Sequence, residues 1–118
     1  MQDDKNLDTD RRNFERIKLE LPIRFKISPE NIVGDFILRD VGANGVGVVS
    51  KGRISPESNI DLWIEVPDQK PELHITGKVV WSKEAQGEGY RAGIVFDRLN
   101  LMPLWRLFKE AKTKNLIE

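Results

Sequence analysis

Between Leu21 and Phe96 apolar residues recur at every second position in six separate runs. A side-chain period of two leaves extended backbone as the regular structure that puts each run on one face. Leu21, Ile23, Phe25 and Ile27 alternate with Pro22, Arg24 and Lys26. Two shorter runs, Phe36 with Leu38 and Val46 with Val48, are joined through Asp40-Val41-Gly42-Ala43-Asn44-Gly45, where Asn44-Gly45 is a turn signal. Ile60, Leu62, Ile64 and Val66 alternate with Asp61, Trp63 and Glu65 and stop at Pro67. Leu73, Ile75, Gly77, Val79 and Trp81 share one parity, with a bulge or bend expected at Thr76-Gly77. Tyr90, Ala92, Ile94 and Phe96 complete the set. Six short strands with edges to protect predict a small all-β barrel or sandwich.

After Phe96 the period changes. Leu101, Leu104, Trp105, Phe108 and Ala111 fall on one stripe of a helix expected over 100–113, with Asn100 as N-cap and Pro103 in the first turn. Residues 1–10 carry four aspartates and a single leucine, too little apolar surface to offset the entropy of ordering, and are expected to form a flexible tail. The acidic, polar start lacks the pattern of a secretory signal. The longest uncharged stretch, Val41 to Ser50, is ten residues, well short of the ~20 a membrane helix needs. Without cysteines, a cytoplasmic location and no membrane insertion are the expectation.

Chemistry is constrained by what is missing. With no cysteine, thiolate metal sites and thiol nucleophiles lose their residues. The one histidine, His74, lies inside a strand pattern with no cysteine or second histidine as partner, where a packed or surface role is the ordinary one. Asp61 and Glu65 share a strand face, but their alternation with Ile60, Leu62 and Ile64 is that of a solvated face. No phosphate-binding loop of the Walker or dinucleotide type occurs. The chain reads as a binding protein and not an enzyme. Its 118 residues hold 19 Lys+Arg and 19 Asp+Glu, so bulk attraction to nucleic acid is not expected and any anion must be recognised locally.

Two features point to such a place. Arg11, Arg12 and Arg16 crowd three guanidiniums, with Phe14 between them, just ahead of the first strand. Asp40 opens a turn whose glycines expose backbone. Together these residues resemble the PilZ domain family of bacterial cyclic di-GMP receptors. Arg12-Asn13-Phe14-Glu15-Arg16, with Arg11 in front, looks like the family's Arg-x-x-x-Arg arm. Asp40-Val41-Gly42-Ala43-Asn44-Gly45 is similar to its second signature, Asp or Asn, any residue, Ser, two residues, Gly, except that Gly42 stands where the family has serine. Gly77-Lys78-Val79-Val80-Trp81 and Tyr90 to Phe96 look like its last two barrel strands.

The resemblance implies a six-stranded antiparallel PilZ-type β-barrel with a C-terminal α-helix, divided into an arm over 11–18, a barrel over 19–97 and a helix over 100–113. It implies cyclic di-GMP as ligand, bound singly or as a stacked dimer that Arg11 would favour, no cofactor, and Arg11, Arg12, Arg16, Asp40, Gly42 and Gly45 as binding residues. Guanidinium suits that ligand because it pairs bidentately with phosphate or with the guanine O6/N7 edge and stacks on a base. An unidentified effector protein would read the ligand-ordered arm. Loss of the serine hydroxyl removes about 1–3 kcal/mol, a weakening of roughly five- to hundred-fold. The competing expectation is a PilZ-fold adaptor that has lost the ligand and binds only protein. A third, single-stranded nucleic-acid binding through Trp63, Trp81 and Tyr90, is disfavoured because these aromatics mostly share parity with core residues.

Overall fold

The computed structural model describes residues 16–87, 89–97 and 101–117. Six strands, β1 (Ile17–Ser28), β2 (Ile32–Val41), β3 (Gly45–Ser50), β4 (Asn59–Ile64), β5 (Leu73–Ala85) and β6 (Gly89–Phe96), precede one helix, α1 (Leu101–Ile117). All pairings are antiparallel, and the order β1-β2-β3-β6-β5-β4 closes on itself when β1 pairs with β4. The predicted six-stranded antiparallel barrel with a C-terminal helix is therefore what the chain forms. Closure leaves no free edge, which is how a sheet this small protects its backbone groups.

The period-two positions fill the barrel. Ile23, Leu38, Val46, Leu62, Ile75 and Ile94, one from each strand, are among the buried core residues. Phe25 and Phe36 stack inside with ring centroids 3.8 Å apart. Helix α1 packs on the barrel through Leu104, Leu107 and Ala111, spaced i, i+3 and i+7. Arg106 clamps it to the β4–β5 loop, donating from Nε and Nη2 to the two oxygens of Asp68 and from Nη1 to the Pro71 carbonyl. Farther along, Asn115 donates to the Lys18 carbonyl.

Several expectations need correction. β1 begins at Ile17, inside the expected arm, because Ile17 already pairs with Val41. β4 ends at Ile64, although Val66 is still buried. α1 runs on to Ile117, past the expected end at 113. Its stripe includes Leu107, which is fully buried, and leaves out Trp105, 54% exposed, because the helix meets the barrel on the face centred between Leu104 and Leu107. The Asn100 cap lies outside the described residues. β5 passes Gly77 in register, and its irregularity falls between Val79 and Trp81. Gly77 is a point of close approach instead, since a Cβ there would lie 2.5 Å from the Val95 carbonyl oxygen.

Two outcomes follow from α1. Leu107→Ala should cost about 2–5 kcal/mol of unfolding free energy in a urea titration, against ~1 or less for a change at exposed Lys109. The Arg106 guanidinium holds the Asp68 carboxyl at about 2, below its ordinary 3.8. A depressed carboxyl stabilises above its unfolded value and ceases to as pH falls through its folded one. The stability difference between wild type and Asp68→Asn, measured by thermal unfolding, should thus hold above pH 3.8 and vanish as pH drops through about 2.

Candidate functional site

Two β-bulges decide which side chains face outward beside β3 and β6. In the β2–β3 pair Leu38 faces Val48 and Asp40 faces Gly47, so Arg39 is an extra residue in β2. In the β5–β6 pair Val79 faces Ile94 and Trp81 faces Gly93, so Val80 is extra in β5. Each extra residue reverses the alternation that follows it. Without the first, Asp40 would share the inward parity of Leu38. Without the second, Trp81 would point into the core with Val79, as its parity in the sequence predicts; instead it is 44% exposed.

The bulges flank two facing glycines, of which Gly47 lines the groove and Gly93 lies beneath the Trp81 indole. Gly47 of β3 and Gly93 of β6 are directly paired, so one row across the outer face reads Asp40, Gly47, Gly93, Trp81. A Cβ at Gly47 would lie 2.8 Å from Asp40 Oδ1, and one at Gly93 would run into the Trp81 indole nitrogen. A carboxylate and an indole thus lean inward over bare backbone from opposite sides. The resulting groove has a volume of about 240 Å³. Among the described residues, its charged lining is Arg16, Arg39, Lys83 and Arg91 against Asp40 alone. A chain of zero net charge has concentrated positive charge at one place, which is what local recognition of an anion requires.

Arg16 is the described part of the arm. Its Nε donates to Asp40 Oδ1 at 2.7 Å, across 24 residues of sequence. The Arg16 side chain is half exposed, so the pair adds little to stability but sets the direction of the guanidinium. Gly42 is part of that arrangement, because a Cβ there would lie 2.6 Å from Arg16 Nη1. Its backbone N–H is not bare as the sequence suggested, since it donates to the Gly45 carbonyl at 2.8 Å and closes the turn around Ala43-Asn44. Gly45 sits at the start of β3, where any side chain would collide with the Ile94 backbone. The structure therefore brings Arg16, Asp40 and Gly42 together and gives Gly45 a packing reason of its own. Arg11 and Arg12 lie outside the described residues.

Sequence reasoning missed Gly47, Gly93, Lys83 and Arg91 and placed Trp81 on the wrong face. The two glycines carried a signal, since a glycine within a strand often marks close approach. The bulges left no mark in the apolar pattern. Elsewhere, a larger cavity of about 430 Å³ opens near the β1–β2 hairpin, lined in part by Phe25, Ile27, Ile32 and Ile54. Its lining carries Glu30 and Asp35 against Lys51 and Arg53, so it offers an anion no net attraction. His74 stacks on Trp63 at 4.7 Å with Nε2 3.0 Å from Asp61, a surface cluster outside the groove.

Barrel and groove define a small β-barrel with a cationic groove on its outer face. The family model for the PilZ domain matches residues 10–105, and the chain belongs to that family. No curated protein matches the sequence at a significant level. Solved structures agree on the fold. The PilZ domain with c-di-GMP of YcgR from Escherichia coli superposes with a TM-score of 0.65 at 14% identity, covering 89% of this chain and 94% of that one. The Bacillus subtilis inhibitor of motility MotI/DgrA gives 0.71 at 14% identity over 92% of this chain, which spans 53% of that protein. The Borreliella burgdorferi PlzA protein in complex with c-di-GMP gives 0.62 at 18% identity, over 92% of this chain and 44% of that one.

The floor glycines and the turn glycine should respond differently to a methyl group. Gly93→Ala meets the movable Trp81 ring, so the barrel should stay folded while the Trp81 indole N–H resonance shifts. Gly45→Ala meets β6 backbone and should destabilise by about 1–3 kcal/mol in thermal or urea unfolding.

Proposed function

We propose that this chain is a bacterial cyclic di-GMP receptor that binds the messenger in the groove over Gly47, between Asp40 and Trp81, and passes the signal to a partner protein. The observation that carries this reading is the Arg16–Asp40 pair fixed at the rim of a groove with four cations to one carboxylate and an exposed indole. Arg16 supplies a planar cation for a phosphate or a guanine O6/N7 edge, while Asp40 aims it and can accept guanine N–H donors. Trp81 offers a face on which a guanine can stack above the side-chain-free floor. Arg11 and Arg12, carried over from the family arm, add cations from the segment ahead of Arg16, and Arg11 would favour a stacked ligand dimer. Chemistry is not required of any group, so the role is reception and not catalysis. The named ligands of YcgR and PlzA support the choice of messenger. A cytoplasmic setting goes with that messenger, and an ordered arm is the surface an effector would read.

One observation favours a second reading. Gly42 lacks the family's serine hydroxyl, as a PilZ-fold adaptor that no longer binds the messenger would allow. Calorimetric titration with cyclic di-GMP separates the two. The receptor reading expects saturable binding, weakened about 10- to 100-fold by Arg16→Ala and unchanged by Lys70→Ala on the far loop. A flat titration of folded wild type would establish the adaptor instead.

A further inference from the structure

Lys83 of β5 and Arg91 of β6 are direct cross-strand partners on the outer face of the barrel. Like charges placed opposite each other in an antiparallel pair, with Cβ atoms about 5 Å apart, repel and weaken the sheet. Among the described residues no carboxylate lies within ion-pair distance of either. Elsewhere on the barrel strands Arg24 pairs with Glu72 and Lys78 with Glu57, and Lys18 and Lys26, which form no ion pair among the described residues, stand in register with Asp40 and Asp61 and not with another cation. Lys83 and Arg91 both line the groove, and Lys83 Nζ stands 5.7 Å from the centre of the Trp81 ring. A costly charge pair kept at the lip of a binding groove is accounted for by an anion that sits between the two.

The position of the pair says which part of a ligand it meets. Asp40 lies on β2, and β3 and β6 separate it from Trp81 on β5. At ~4.8 Å per strand, Arg16 and Arg39 at one side stand roughly 10–14 Å from Lys83 and Arg91 at the other. The groove therefore has two cationic poles with a flat floor and an aromatic wall between them. One pole suffices for a mononucleotide, whereas two poles fit a ligand that carries two phosphates.

We propose that Lys83 and Arg91 form a second phosphate-binding pole, which holds the phosphate remote from Arg16. The proposal rests on the receptor reading and adds to it two residues that neither the arm nor the Asp40 turn contains. Lys83 reaches the anion as a flexible point charge, and Arg91 presents a bidentate fork.

Calorimetric titration with cyclic di-GMP at two salt concentrations tests it, with thermal unfolding of each ligand-free variant as control. Arg91→Gln and Lys83→Gln are each expected to weaken binding about 10- to 100-fold and to flatten its salt dependence, since each removes a charge-assisted contact. Ligand-free, the same variants should unfold at or above the wild-type midpoint, because the substitution relieves repulsion. Lys78→Gln, on the same strand but outside the groove, should leave affinity unchanged. Wild-type binding that survives both groove substitutions within about twofold overturns the second pole and leaves the receptor reading standing. Wild type that does not bind overturns both.

Discussion

Backbone pairing of β1 along both of its edges, to β2 on one side and β4 on the other, is the constraint from which the molecule follows. It turns an open sheet into a closed one and commits inward positions to a single core, so every outward residue belongs to one continuous surface. It also ties the residue before β1 to the site. Arg16 ends the segment that leads into Ile17, and Ile17 is in register with Val41, one residue past Asp40. The meeting of Arg16 with Asp40 is thus a consequence of strand register and not of two mobile loops finding each other.

The groove shows how a regular sheet can be adapted without loss of its fold. Ordinary alternation would bury Asp40 and Trp81, a poor place for a carboxylate. A single extra residue in each of β2 and β5 turns these side chains outward, while Val41 and Val79 keep their places in the core. Between them Gly47 and Gly93 give up side-chain packing on the outer face, where such packing contributes least. Charge is handled in the same local way. The chain has no net charge, yet most of the charges at this one spot are positive, so the positive field there is local and short-ranged.

Much of this was legible in the residues. The alternation of Leu21 to Ile27 and of Ile60 to Ile64 gave strands because side-chain direction in extended backbone has a period fixed by covalent geometry. The i, i+3, i+7 spacing gave the helix for a similar reason. Errors came where position depended on a distant partner. Trp105 and Leu107 are both apolar but stand about 200° apart around the helix, and only the barrel surface underneath decided which of them is covered.

Local rules thus settled the strands, the helix and the presence of a basic segment ahead of β1, since each depends on neighbours within a few residues along the chain. Pairing across the sheet settled the rest: closure, the outward turn of Asp40 and Trp81, the joined floor of Gly47 and Gly93, and the confrontation of Lys83 with Arg91. Those features are properties of register between strands far apart in sequence, and a change of one residue in register reverses every side chain beyond it, so no reading along a single strand could contain them.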